Sequence, residues 1–265
     1  MKKYLKAASK SFQKQAAYKV EYFVGLLNGL LFIFIFTSLW KAIYARSAPE
    51  TLKGPFDLES MVTYAVLAMI IKISFSMDDN ATSFKMRTGA LVMDLIKPVS
   101  YYFFYLAESV GYSLFHVFSR GIPLLAFSVL AFHVRFPTEP LNYLLLVLSG
   151  TMAYSIFFNI NYMAGLLSFW FIETFSFQLM KYGLFTLFAG GILPVDFFPD
   201  SIRPLVSLLP FPHIFYTPTA VFMGHSPPGG ARLAMLAQFC WAAVLSVLSW
   251  LAWKAAMKKL VVQGG

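Results

Sequence analysis

The chain has 265 residues, 58% hydrophobic and only 12% charged, with a net charge of +9 and a mean hydropathy of +0.67. Soluble domains carry about 25% charged residues, so this chain lacks the polar surface that a water-soluble fold needs. The single cysteine, Cys240, excludes an internal disulfide and a cysteine-rich metal site, and several long apolar runs without strict alternation exclude a membrane β-barrel.

Residues 1–19 open the chain with Lys2, Lys6, Lys10 and Lys14 at every fourth position, and Lys3 and Lys19 beside them. Tyr4, Ala8, Phe12 and Ala16 form a second row about 200° around a helix. This pattern predicts an amphipathic helix lying on a membrane surface, with each lysine contributing about 1 kcal/mol near anionic lipid. The polar residues ahead of the first apolar run do not suit a cleaved signal peptide.

Six stretches then have the length and composition of membrane spans: 21–44, 58–75, within 101–132, within 141–171, 175–193 and 231–253. The third and fourth are longer than a straight crossing needs, and Gly121 and Pro123 offer a kink in the third. Gly25 and Gly29 make a G-x-x-x-G pair in the first, which suits close helix approach. The basic N-terminal tail and Lys254, Lys258 and Lys259 near the other end place both termini on the cytoplasmic side. The positive charge thus describes topology, and nucleic acid is not an expected partner.

Between the second and third spans, residues 76–100 form a polar, charged segment. Phe84 to Ile96 can form a short helix interrupted near Gly89, and Pro98 suits the first turn of the next helix. Leu91, Leu95 and Ile96 are expected to face membrane or protein, with Arg87, Asp94 and Lys97 solvated. A rigid knob of apolar anchors with a charged rim is one reading, and a solvated loop satisfies the same residues.

Glu108, Arg120, Glu173 and Lys181 fall in or near spans, where a central charge costs about 2.5–3.5 kcal/mol on insertion scales. Glu108 and Arg120 are roughly 18 Å apart along a helix and cannot pair within it. Glu173 suits a tight turn between spans four and five, and Lys181 suits snorkelling. Asn159 and Asn161 fit either interhelical hydrogen bonds or a pathway lining. The four histidines are scattered without metal-ligand spacing.

After the fifth span, residues 194–230 contain Pro194, Pro199, Pro204, Pro210, Pro212 and Pro218 among many aromatic and aliphatic residues. The prolines forbid one continuous crossing helix, and apolar broken backbone at membrane depth must be covered by protein. Short re-entrant helices closing the outer mouth are expected, with Pro194, Phe198, Pro199, Pro210 and Phe211 as candidate gate residues; an interfacial loop anchored by aromatics is the other reading.

The run Gly89-Ala90-Leu91-Val92-Met93-Asp94-Leu95-Ile96-Lys97-Pro98-Val99-Ser100 resembles the G-x-L-D-x-L-L-L-R-P-x-S segment of bacterial permease subunits of type-2 ABC transporters. Gly190-Gly191-Ile192-Leu193-Pro194-Val195-Asp196-Phe197-Phe198-Pro199, followed by Leu208-Leu209-Pro210-Phe211, is similar to the S-G-x-x-x-P-L-x-x-F-P … L-P-F run that follows their fifth span. Lys97 stands where arginine is common, and the aspartate spacing differs.

The resemblance implies an all-α polytopic membrane protein, a single permease domain over residues 1–265. It would have six transmembrane helices, an N-terminal amphipathic interfacial helix, a cytoplasmic coupling helix, and a re-entrant outer segment between spans five and six. It also implies a bacterial cytoplasmic membrane, an ABC ATP-binding subunit as partner, and a second permease chain, identical or paralogous. Phe84, Arg87, Gly89, Leu91, Asp94, Leu95, Lys97 and Pro98 would couple to the ATPase. Gly25, Gly29, Gly190 and Gly191 would line the permease–permease interface, although packing within one chain also suits each glycine.

No G-x-x-x-x-G-K-[ST] loop, Rossmann glycine pattern or H-E-x-x-H pair occurs. Catalytic, cofactor and metal sites are therefore not expected on this chain, and ATP and Mg would belong to the partner. An ion-coupled secondary carrier would need an intramembrane acid or amide cluster and usually an internal repeat. An intramembrane lipid- or peptide-processing enzyme would need convergent catalytic groups at one depth. Neither pattern is evident.

Overall fold

The computed structural model describes residues 2–17, 19–46, 56–132, 134–171, 173–225 and 227–259, and among them it is helical with no strand. The N-terminal helix α1 (Lys2–Ala16) and the long α2 (Lys19–Arg46) precede α3 (Leu58–Ser74). Two short helices follow, α4 (Ala81–Arg87) and α5 (Leu91–Leu95). A continuous rod then runs through α6 (Tyr101–His116), a π-helical turn at Val117–Gly121 and α7 (Ile122–Phe132). The chain continues with α8 (Pro140–Leu166), α9 (Phe175–Phe188), the short α10 (Arg203–Leu208), α11 (Pro212–Phe222) and α12 (Ala231–Met257).

Four segments are long and apolar enough to cross a membrane: Val20–Arg46, Tyr101–Phe132, Pro140–Phe169 and Ala231–Met257. The other two expected spans are shorter. The 17 residues of α3 reach only about 25 Å and the 14 of α9 about 21 Å, against about 30 Å of hydrocarbon. For α9 the reason is local: Gly190 takes a left-handed backbone (φ 78°) just past Ala189, whose N–H closes the last turn on Phe185. The fifth helix therefore ends before the expected 193.

The core is built around α3 and α11. Every residue from Met61 to Met69 of α3 is buried, and so is every residue of α11. Helix α3 packs against α2, α7, the π turn and α11, while α11 is wedged between α3, α8 and α12. Fully buried Gln238 ties this wedge in place, donating to the carbonyls of Ser149 (3.0 Å) and His213 (2.9 Å) and accepting from the Ser149 hydroxyl. Asn159 links α6 to α8 and α12 through the Tyr102 hydroxyl (3.0 Å) and the Ser246 oxygen (3.2 Å), so it serves as an interhelical bridge.

Helix α1 forms as the lysine spacing predicts, and its lysines at 2, 6, 10 and 14 are exposed. Its apolar row covers α6 rather than standing free. Tyr4 meets Phe103, and Phe12 meets Phe115 and Phe118, so the two helices run parallel. The contact is close because Gly111 lies against the backbone of Ala8, where any side chain would overlap the Ala8 carbonyl. Gly111→Val is expected to lift α1 off α6 at about 1–3 kcal/mol, the usual cost of overpacking. This would appear as a lowered melting temperature in detergent and faster proteolysis at the N-terminal lysines; unchanged values would show that α1 does not depend on this contact.

Candidate functional site

The segment between α3 and α6 is bonded to its own chain along its length. Past Ser74 the backbone leaves the helix, and side chains take over its hydrogen bonds. The Ser113 hydroxyl bonds both the N–H and the carbonyl of Ser76, the Tyr105 hydroxyl donates to the Asp78 carbonyl (2.8 Å), and Gln178 donates to the Asp79 carbonyl (3.2 Å). Helices α4 and α5 then form the interrupted helix expected over 84–96. Gly89 sits at the break with φ 71° and open space around it, at the exposed tip of the pair.

A compact charge cluster holds the two short helices together. Lys85 reaches Asp94 (2.7 Å) on α5 and Glu108 (3.3 Å) on α6, and Lys97 closes on Asp94 (2.6 Å) while lying over the Phe104 ring. Burial alone would raise the Asp94 carboxyl, but hydrogen bonds and charge from Lys85 and Lys97 outweigh it and hold Asp94 below its usual value. Burial likewise opposes the Lys85 ammonium, and Glu108 and Asp94 more than reverse this, leaving it raised. A depressed acid stabilises above its unfolded pKa and loses that contribution as pH falls through the folded value. A raised lysine stabilises below its unfolded pKa and loses it as pH rises through the folded value. The cluster is therefore intact across neutral pH.

The sequence expectations for this segment divide. Arg87 is exposed and pairs with Glu173 (3.3 Å), and Lys97 and Pro98 are also exposed. Asp94, expected in solvent, is 8% exposed because it is the centre of the ion cluster. Leu91 is 1% exposed and Leu95 half-buried, both turned into the protein, so they anchor the knob from beneath. The outward apolar surface belongs to Phe84 (65% exposed), Met93 (68%) and Ile96 (72%). Met93 was legible in principle: it lies two residues, about 200°, from Leu91 and so on the opposite face of the same helix.

The remaining charges are also placed. Glu173 lies at the turn before α9, where it accepts from the Phe175 N–H (3.0 Å). Lys181 is buried rather than snorkelled, bonded to Asn161, to Gln178 (2.6 Å) and to Asp79 (3.1 Å). Arg120 donates to the Glu21 carbonyl at 3.0 Å. Four glycines expected at a permease–permease contact meet their own chain. A side chain at Gly25 would overlap the Arg120 guanidinium, and one at Gly29 would press on Leu124. Gly190 fits against Tyr216 and Gly191 against Phe215 and Lys72. Lys72 itself, near the end of α3, was not singled out in the sequence, because a lysine closing an apolar run reads as a flanking charge.

In the proline-rich segment after α9, Pro194 is buried, Pro199 exposed, and Phe198, Pro210 and Phe211 half-buried. Phe198 stacks on Phe188 of α9 (6.2 Å between centroids), and Phe211 packs on both Phe188 and Phe185. Asp196 is pinned by the Tyr216 hydroxyl (2.8 Å), and Arg203 donates to the carbonyls of Asp196 and Phe198 (2.9 Å each). Of the candidate gate residues, Phe198 and Phe211 thus converge on one ring that sequence reasoning missed, Phe188.

No curated protein and no solved structure matches this chain. The family model described as "ABC-2 family transporter protein" matches residues 25–264, which includes every described helix except α1 and the start of α2. A membrane chain that is helical throughout its described elements, with that match over most of its length, is a transport subunit and not itself a catalyst: the chain belongs to the ABC-2 family, as the transmembrane permease of an ABC transporter.

Proposed function

We propose that this chain is one transmembrane half of an ATP-driven exporter of the bacterial cytoplasmic membrane. It pairs with a second permease, identical or paralogous, and each permease docks on a separate subunit that binds ATP and Mg. The observation that carries this reading is the insert: a pair of short helices locked by the Lys85–Asp94–Glu108 cluster, presenting Phe84, Met93 and Ile96 outward around the Gly89 tip. Exposed large apolar side chains on a charged, polar segment fit a protein-docking surface, and their rigid base suits the transmission of force. The rest of the coupling set divides by role. Arg87, Lys97 and Pro98 rim the contact, while Leu91, Asp94 and Leu95 hold its shape.

The chain crosses the membrane six times, with α3 and α9 as short crossings completed by irregular backbone at 75–80 and 189–194. Both stretches are bonded by side chains, as irregular backbone at membrane depth requires. The lysine-rich ends place both termini in the cytoplasm, with α1 bracing α6 beside the insert. Segment 194–230 then enters the bundle from outside, with buried α11 as its re-entrant part and the aromatics around Phe188 closing the mouth. Docked ATPases rock the two permeases between inward-open and closed states.

In pull-downs from native membranes in mild detergent, Phe84→Asp with Met93→Asp is expected to lose the ATP-binding subunit while the permease stays folded. Removing such anchors costs about 2 kcal/mol or more, some 30-fold in Kd. An intact parent chain that captures no ATPase overturns the reading. Single cysteines at positions 6 and 138, in a Cys240→Ser background, are expected to react with a membrane-impermeant maleimide from opposite sides; labelling from the same side would break the six-span topology. Phe198→Ala is expected to change transport several-fold with normal assembly, and normal transport would remove the gate role.

A further inference from the structure

Two cavities meet at Lys72. One, of about 160 Å3, is walled by α3, α8, α9 and α11 and includes the rings of Phe157 and Phe185. The other, of about 290 Å3, lies against α2 and the π turn and includes Asn28 and Arg120. Lys72, Ser76 and Tyr182 line both, so the two read as one crevice with Lys72 at its waist.

The cations around this crevice are not equivalent. Lys181 is saturated by Asn161, Gln178 and Asp79. Arg120 is held by the Glu21 carbonyl, with the Glu21 carboxylate farther off at 3.9 Å. Lys72 has no carboxylate and no hydrogen-bond acceptor among the described residues; half-buried Ser76 likewise donates to nothing there, and the exposed side chains of Asn28 and Tyr182 stand at the open rim without a protein partner. Snorkelling does not account for it. A lysine in the last turn of α3 would snorkel past the end of its own helix toward 75–80. Its stem instead lies against Gly191, beyond the far end of α9, where the missing side chain leaves room for it. The ends are fixed by Asp79 beside Lys181 at one side and Tyr64 bonded to the Gly190 carbonyl at the other. Lys72 is therefore half-buried, with its stem packed on Gly191 and its side chain lining the crevice between α2 and α9. A lone cation held inside a membrane protein is costly unless something pairs it.

Resting on the reading of the chain as a permease, we propose that Lys72 is the anion-binding residue of this crevice, which takes the phosphate or carboxylate headgroup of an amphiphilic molecule. Ser76 and, at the open rim, Asn28 and Tyr182 complete the recognition of the charged group, and the aromatic wall takes the start of the apolar chain. Arg120 adds a second positive charge at the α2 side. The volumes suit a headgroup and the first carbons of a tail rather than a whole bulky ligand.

The test uses the full chain in phosphatidylcholine nanodiscs, without an ATPase, titrated with fluorescent phosphatidylglycerol and, separately, fluorescent phosphatidylcholine. The anionic probe is expected to bind at least about tenfold more tightly, the scale of a charge-assisted hydrogen bond. Lys72→Met is expected to remove that preference and Lys72→Arg to keep it. Equal binding of the two probes by the parent chain overturns the proposal and needs no variant; so does an unchanged preference in a Lys72→Met protein that elutes as the parent does. Inorganic phosphate as competitor separates the sources: displacement at millimolar concentration assigns the site to the free anion, and its failure to displace assigns it to the amphiphile. Because no ATPase is present, loss of coupling at Phe84 and Met93 leaves this result untouched, and its failure leaves the coupling reading standing.

Discussion

The structure depends on how it bonds backbone that leaves a helix. Inside hydrocarbon an unpaired carbonyl or N–H costs several kcal/mol, yet this chain breaks its helices repeatedly. The breaks after α3, after α9 and before α11 are each met by side chains from neighbouring elements. Tyr105, Ser113 and Gln178 bond the stretch after α3, Tyr64 bonds Gly190 after α9, Trp241 bonds Leu208 and Gln238 bonds His213 on either side of the turn into α11. These bonds are long-range in sequence, so each also fastens two elements together. Polar residues scattered through apolar helices have here a common structural purpose.

That requirement explains which expectations held. Short-range patterns were legible: the lysine row of α1, the break at Gly89, the prolines that fragment 194–230. Partners were not. The row Tyr4, Ala8, Phe12 gave an apolar face, but only the missing side chain at Gly111 decides that α6 covers it. Gly25 and Gly29 signalled close approach without naming Arg120 and Leu124 as what approaches. Asp94 looked like a solvated rim charge because Lys85, nine positions earlier, shares its site only once the chain turns at Gly89. Gly190 carries no sequence signal for its left-handed backbone, which ends α9.

The ion pairs differ in weight. Arg87–Glu173 joins two exposed side chains and is screened by water, so it contributes little. Asp94 is enclosed by two lysines, and losing either would leave a buried carboxylate short of a partner, which is far more costly than the pair itself is favourable. The cluster therefore acts as a geometric constraint. It sets the angle between α4 and α5, and with it the arrangement of Phe84, Met93 and Ile96.

The same logic links the insert to the proline-rich segment after α9. Ser83 bonds Thr174 at the turn before α9 (3.2 Å), and Asp79 holds Lys181 one and a half turns into that helix. From there α9 carries Phe185 and Phe188, against which Phe198 and Phe211 pack. Outside these contacts α9 is loosely held, with Leu179, Met180, Tyr182 and Leu187 all exposed. On the proposed reading, a displacement of the knob would reach the outer aromatics through one short, rigid helix. It would also pass Lys72, whose crevice α9 walls on one side. Helix α9 is thus the two-sided element whose position both the docking surface and the crevice would bias.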